Sequence, residues 1–295
     1  MSLLRDRKWK LKYTPDHGDL VELLYVPALE CAVRYDRLTG YFNARALALA
    51  ARGIEGLVRN GGRVRLLVGC TLEKAEVDAI TKGAELRELV NSHLLRYPLK
   101  PGNQSEVEAL ELLAWMVARQ ILELKVAVPC DENRRPVPAS GLFHEKSGII
   151  EDKTGDRLAF NGSLNETAAG WTKNWESLNI FCSWRNEDAL ERVEEEDRNF
   201  RRLWDGESPH VVTLEVPEAA KADLLRFLPA NDEPARLITE GPTVEVGKDH
   251  SGGAPPPASV ACGQGPPHPH PRPGQRLPAM AGGAAREVQP QLAVL

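Results

Sequence analysis

A sharp change in composition near residue 240 limits how much of this chain can fold. From Gly241 to Leu295, the 55 residues contain 11 prolines and 9 glycines but no Phe, Trp or Tyr. Such a segment buries too little apolar surface to offset the conformational entropy lost on ordering. We therefore predict a folded domain over residues 1–240 and a disordered Pro/Gly-rich tail over 241–295. Truncation or a frameshift would also produce so abrupt a change, and the other reading frames of the coding DNA would test that expectation.

The first 240 residues alternate between short strand-like runs and longer helical segments. The predicted strands cover Val33–Phe42, Arg63–Gly69, Leu124–Val128, Gly141–Ile150, Arg157–Phe160 and Leu178–Trp184. The predicted helices run from the N-cap Asn43 to about Asn60, from Glu73 to Leu95, from the capping box Ser105/Glu108 to about Glu123, and from Glu187 to Trp204. Strands divided by helices of this length predict an α/β fold, with a sheet covered on both faces.

The charge of the chain argues against indiscriminate binding to nucleic acid. The formal net charge is −5, and the first 240 residues alone hold 33 Lys+Arg against 39 Asp+Glu. Proteins that bind DNA nonspecifically are usually basic, so any such contact here requires a local basic patch. Five cations are candidates for that patch or are simply isolated surface charges: Arg134, Arg135, Lys153, Arg157 and Lys173.

The cysteines and the apolar segments restrict the class of protein further. The five cysteines are widely scattered, with no CxxC pair, which predicts reduced thiols, mostly in the core, and no structural metal. No stretch approaches the roughly 18 apolar residues that span a bilayer, and the N-terminus lacks a secretory core. We expect an intracellular, cytoplasmic protein with no membrane partner.

One constellation of residues carries recognisable chemistry. It consists of His144-x-Lys146, followed after a further predicted strand by Gly162-Ser163-Leu164-Asn165. On a strand, His144 and Lys146 would project from the same face, and Gly162 would permit a tight turn that leaves Ser163 and Asn165 at a helix N-terminus. An imidazole, an ammonium group, a hydroxyl, an amide and a helix end together suit a phosphodiester. The imidazole can attack phosphorus, and the cation and amide stabilise charge on the oxygens.

These residues resemble the HKD motif of the phospholipase D superfamily, which contains metal-independent nucleases and lipid-hydrolysing enzymes. The resemblance implies a phospholipase D-like sandwich with a mixed sheet, and a reaction that needs no metal ion or cofactor. It also implies that His144 is the nucleophile and that Lys146, Ser163 and Asn165 bind phosphate. In the nuclease branch, a glutamate helps to orient the histidine, and Glu176 holds that position here. The acidic position of the motif falls on Glu151 or Asp152, and the sequence does not distinguish them.

The motif occurs once, although enzymes of this superfamily use two facing copies. One histidine attacks, and the other protonates the leaving oxygen. Because this chain has a single His-x-Lys, the resemblance implies a homodimer with its active site on the two-fold axis.

The resemblance extends to Arg34–Leu72 and Gly170–Leu203, which are similar to the phospholipase D-like domains at the N-terminus of DEAD/DEAH-box or Swi/Snf-type helicases. No GxxxxGK[ST] loop of an ATP-driven motor occurs in the sequence. The expected function is that of a nuclease module acting on nucleic acid, DNA rather than RNA. Two alternatives are a DNA-binding module with little turnover and a lipid hydrolase. Trp171, Trp175 and Trp184 would serve in base stacking, in the core or at the dimer interface.

Overall fold

The computed structural model describes residues 2–40, 51–70, 72, 75, 77–78, 85–95, 100–101, 104–137, 143–164, 175–230 and 234. Eight strands occur in this part of the chain: β1 Lys12–Tyr13, β2 Ala32–Thr39, β3 Arg63–Gly69, β4 Leu122–Pro129, β5 Ser147–Asp152, β6 Arg157–Gly162, β7 Leu178–Cys182 and β8 Val211–Glu215. Its α-helices are α1 Val26–Leu29, α2 Ala51–Arg59, α3 Leu86–Leu95, α4 Gln104–Ala118, α5 Glu187–Trp204 and α6 Glu218–Leu225. The predicted tail over 241–295 lies outside these residues.

The eight strands form one sheet in the order β1-β7-β6-β5-β2-β3-β4-β8. Strands β2, β3 and β4 are parallel, and each of the other pairings is antiparallel. The predicted mixed sheet is therefore confirmed. The parallel strands end together, and β5, β7 and β8 begin at that same edge, because Leu38 pairs with Ser147, Gly162 with Leu178, and Pro129 with Val211. We call it the carboxyl edge of the sheet.

Helices cover both faces of the sheet, as predicted. Helix α5 packs its apolar side on one face, where Val193, Phe200 and Leu203 contact side chains of β2–β6. The other face carries the larger core, which includes residues of α1, α2, α3, α4 and α6. Both clusters exclude water, and their burial is the main favourable contribution to folding.

Several helix boundaries have local causes in the sequence. Helix α5 spans Glu187–Trp204 as predicted, and the Asn186 side chain caps it by accepting a hydrogen bond from the Ala189 N–H at 2.8 Å. Gly61 and Gly206 have positive φ angles of 69° and 74° just beyond α2 and α5. These are the left-handed conformations that end helices and favour glycine.

Other predicted boundaries are wrong. Helix α4 begins at Gln104, so Ser105 lies inside the helix and is not its N-cap. The same helix ends at Ala118 rather than near Glu123, because Gln120 adopts a left-handed φ of 56° and the next strand already begins at Leu122. Strands β1 and β8 and helix α6 were not predicted. The cap assigned to Asn43 lies outside the described residues.

The predicted role of the cysteines is confirmed for the part of the chain that the structure describes. Four cysteines there are buried, and none of those four forms a disulfide bond: Cys31, Cys70, Cys130 and Cys182. The described helices include none that is long and apolar enough to cross a membrane.

Candidate active site

Four of the five predicted site residues are described, and all four flank strand ends at the carboxyl edge. His144 and Lys146 lie immediately before β5, Ser163 follows β6, and Glu176 precedes β7 by two residues. In open sheets with parallel strands, ligands bind outside the carboxyl ends of those strands. The fifth predicted residue, Asn165, lies outside the described residues.

His144 and Lys146 are not on a strand, contrary to the prediction. Strand β5 begins only at Ser147, and the two residues occupy the extended segment before it. The prediction failed because the strand-like composition extends beyond the paired backbone. The consequence is a difference in environment: His144 is exposed, whereas Lys146 is 5% exposed. The Lys146 Nζ donates a hydrogen bond to the backbone oxygen of His144 at 3.1 Å, which ties the two residues together.

The environment of this pair lowers both pKa values. Partial loss of hydration lowers the pKa of the His144 imidazole, the Lys146 charge lowers it further, and Glu145 opposes the change. Burial also lowers the pKa of Lys146, with a further contribution from the charge of Arg37, while Glu176 and Glu145 raise it. A lowered pKa keeps the exposed imidazole neutral, which is the form that can act as a nucleophile.

Ser163 is held by a reciprocal pair of hydrogen bonds. Its N–H donates to the Ser177 backbone oxygen at 3.1 Å, and its Oγ accepts from the Ser177 N–H at 3.1 Å. This pairing fixes the chain next to Glu176, whose carboxylate acts electrostatically on Lys146. These hydrogen bonds of Ser163 therefore join β6 to β7. The Ser163 hydroxyl accepts in this pairing, so its own hydrogen remains able to donate.

Gly162 is required for close approach rather than for the turn that the sequence suggested. A Cβ atom at this position would lie 1.9 Å from the Ser177 backbone oxygen. Gly162 is also the last residue of β6, paired with Leu178, and its φ is not in the left-handed region. A side chain here would separate Ser163 from Ser177.

The two candidate acids of the motif lie at the opposite end of β5 and serve the fold. Asp152 is buried, and its carboxylate accepts hydrogen bonds from the N–H groups of Leu4 and Thr154 at 2.8 Å and 2.9 Å. Glu151 forms an ion pair with Arg34 at 3.1 Å. Asp152 thus anchors the N-terminal segment on the β5–β6 hairpin, whose Gly155 has φ 83°.

Sequence reasoning missed Arg37, a fully buried cation beneath the site. Its guanidinium lies 5.1 Å from the centre of the Phe160 ring and donates to the Leu164 backbone oxygen. Gly148 leaves space for that ring, because a Cβ there would lie 2.3 Å from Phe160 Cζ. An arginine within a predicted strand of the core was the available signal. The Arg37 guanidinium places a second positive charge near Lys146.

The cations that could form a basic patch or be isolated surface charges have different partners in the structure. Arg157 forms an ion pair with Asp197 at 3.3 Å, and Arg134 donates to the Ser208 backbone oxygen at 3.1 Å. Lys173 lies outside the described residues, as does Trp171. Trp175 is 66% exposed near the site, and Trp184 packs partly buried against the core.

Comparison with solved structures finds matches of low sequence identity. NucT from Helicobacter pylori is 12% identical, with a TM-score of 0.40, over 69% of this chain and 97% of that chain. Nuc from Salmonella typhimurium, a phospholipase D family member, is 14% identical, with a TM-score of 0.38, over 69% and 96%. Phosphatidylserine synthase from Haemophilus influenzae is 15% identical, with a TM-score of 0.37, over 74% and 44%. No curated protein matches the chain.

A family model gives the assignment. Residues 31–204 match the family described as "Cardiolipin synthase, PLD-like domain". The match begins just before β2, includes both halves of the His144–Ser163 constellation, and ends with α5. Because it covers more than half of the 295 residues, the chain belongs to the PLD-like domain family.

Proposed function

We propose that the chain is a metal-independent phosphodiesterase that cleaves nucleic acid through a phosphohistidine at His144. The observation that carries this proposal is the pairing of an exposed imidazole of lowered pKa with the buried cation Lys146 at the carboxyl edge. The neutral imidazole attacks phosphorus, the bond to the leaving oxygen breaks, and Lys146 and Ser163 stabilise the phosphoryl oxygens. We assign Asn165 to the same role from the motif.

The reaction requires a proton donor and a second proton transfer. We propose that His144 of the partner subunit, as imidazolium, protonates the leaving oxygen in a homodimer. Neutral again, it then takes a proton from the water molecule that hydrolyses the phosphorus–nitrogen bond. Glu176 acts on Lys146 electrostatically in the structure, and we assign it the further role of orienting the nucleophile. DNA is the proposed substrate because the longer resemblance is to modules of helicases, whose motor we expect in the full-length protein.

The test is cleavage of labelled single- and double-stranded DNA in excess EDTA, with RNA in parallel. Wild type should cleave, and His144→Ala should lose about 10³–10⁴-fold in rate while it keeps its thermal midpoint. Equal cleavage by the two proteins would overturn the histidine mechanism. DNA binding by both proteins without cleavage would instead favour a DNA-binding module.

A separate test addresses the proposed homodimer with its shared active site. Light scattering should give twice the monomer mass. In mixed dimers of wild type and His144→Ala, activity should fall faster than the wild-type fraction, because a mixed site lacks either attack or protonation. A linear fall would show that each subunit acts alone.

A further inference from the structure

A cleft of about 390 Å³ opens beside His144, at the carboxyl edge and on the α5 face of the sheet. It lies between α5 and the start of β8, and neither Lys146 nor Ser163 is among its lining residues. No local sequence pattern indicates this cleft, because its walls come from four separate segments. Its lining includes the side chains of Phe143, His144, Glu145, Asn199, Arg202 and His210.

The cleft combines an apolar floor with a polar rim. Phe143 and Leu203 are buried at its base, and Val211 lies beside them. Arg202 and His210 are exposed at the rim. Ligand sites of this kind hold a flat apolar group on the floor and orient it with a few polar groups. A nucleobase has that character, since its faces are apolar and its edges form hydrogen bonds.

Arg202 and Arg134, near the cleft, differ from Arg198 and Arg201 in their partners. Arg198 is paired with Glu195 at 2.6 Å, and Arg201 is paired with Asp197. Arg202 instead donates to the Asn199 amide oxygen at 3.0 Å, and Arg134 donates to the Ser208 carbonyl oxygen. Within the described part of the chain, neither Arg202 nor Arg134 has a carboxylate within ion-pair distance. Both guanidinium groups can therefore bind a phosphate without first breaking a salt bridge.

We propose that this cleft binds the nucleotide next to the scissile phosphodiester. The base lies on the floor formed by Phe143 and Leu203, and the phosphate on its far side lies at Arg202 and Arg134. The inference rests on the proposed function, because it takes a nucleic-acid strand as the ligand.

The experiment measures binding, so that it does not depend on turnover. A short fluorescent single-stranded oligonucleotide is titrated by anisotropy into wild type, Arg202→Ala, His210→Ala and the control Arg198→Ala. Arg198→Ala removes the same charge from the same helix, but outside the cleft. We expect Kd to rise about tenfold for Arg202→Ala. The slope of log Kd against log salt should fall by roughly one for that variant. Arg198→Ala should change neither.

Two results separate this inference from the proposed function. Equal weakening by Arg202→Ala and Arg198→Ala, or no weakening by both Arg202→Ala and His210→Ala, would overturn the nucleotide site. Hydrolysis of methyl p-nitrophenyl phosphate by wild type, lost in His144→Ala, reports the chemistry independently of the cleft. Selective weakening by Arg202→Ala without any hydrolysis would keep the site and reject the enzyme.

Discussion

Two clusters of charged side chains lie on this sheet, and they differ in what surrounds their charges. Beneath α5, Arg65 forms two hydrogen bonds to the fully buried Asp36, at 2.7 Å and 2.6 Å. Arg34 bridges Asp36 to Asp197 on the helix, and Arg157 reaches the same Asp197. We call this set the α5 ion network. At the carboxyl edge, by contrast, Lys146 donates to a backbone carbonyl, and a second cation lies close enough to lower its pKa.

The difference separates structural charges from charges that suit a ligand. In the α5 ion network, each carboxylate meets two or more arginines, and the pairs join β2, β3 and β6 to the helix. At the carboxyl edge, Lys146 and Arg37 repel each other while both are buried. Holding like charges together away from water costs free energy, and a bound anion such as a phosphodiester would offset it.

The largest effect should come from the α5 ion network. Asp36→Ala leaves Arg34 and Arg65 without their shared carboxylate, and removing one partner of a buried pair costs about 3–5 kcal/mol. Urea unfolding measures the loss, with Glu195→Ala as the control. That exposed pair with Arg198 should contribute about 1 kcal/mol or less. Similar losses for the two variants would contradict the structural role of the network.

At the carboxyl edge, the corresponding change should affect the rate rather than the stability. Lys146→Met removes a cation that stabilises phosphoryl oxygens, and kcat should fall by about 10²–10³-fold. The free energy of unfolding should fall less for Lys146→Met than for Asp36→Ala, because the substitution removes a buried charge that is repelled by Arg37. A loss of stability without a loss of rate would reverse the comparison.

The same variant changes the pH dependence in a definite direction. Lys146 lowers the pKa of His144, so its removal should raise that pKa. The acidic limb of kcat/KM reports the loss of the neutral nucleophile and should therefore move to higher pH in Lys146→Met. A profile of the residual activity measures the shift, and an unchanged limb would show that a different group controls it.

The packing beneath the edge gives a smaller expected effect. Gly148→Ala would drive a methyl group into the Phe160 ring, which is confined by Tyr25, Tyr35 and Arg37. Overpacking of this kind costs about 1–3 kcal/mol. Because Phe160 supports Arg37, oligonucleotide affinity should weaken as well. Unfolding and anisotropy measure the two effects, and wild-type values in both would contradict the close contact.

The sequence predicted local features better than pairings between distant segments. The span of α5, the strand β3 and the alternation of α and β elements follow from patterns within one segment. The sequence also predicted that Ser163 follows a strand directly, as it follows β6. The short β1 could not be predicted, because two residues carry no periodicity and pairing with β7 defines them.

The individual environments of charged residues were not predictable, because they depend on partners far away in sequence. Glu194-Glu195-Glu196-Asp197 has the pattern of a solvated helix face, but Asp197 is buried by arginines from β2 and β6. Arg202 follows Arg201 in the sequence, yet only Arg201 meets a carboxylate. The cleft needs β4, the segment before β5, α5 and β8 together, which no local pattern specifies.

The smallest expected effect concerns Glu196, which lies between the two clusters. Burial raises its pKa and outweighs hydrogen bonds from Asn161, at 2.8 Å, and from Ser147, while Glu145 raises it further. The folded state therefore binds the proton more tightly than the unfolded state. The ionised carboxylate thus costs stability above the raised pKa, and that cost disappears as pH falls through it. Glu196→Gln keeps an oxygen for Asn161 but removes the charge.

This variant should be more stable than wild type at pH 8 by about 1 kcal/mol or less, and the difference should shrink towards pH 4. Urea unfolding at several pH values measures it, with Glu195→Gln as an exposed control that should show no such gain. A variant that is less stable at pH 8 would place Glu196 with the stabilising carboxylates of the α5 ion network. A gain confined to high pH would instead place it with the carboxyl edge, where charges are buried at a cost to stability.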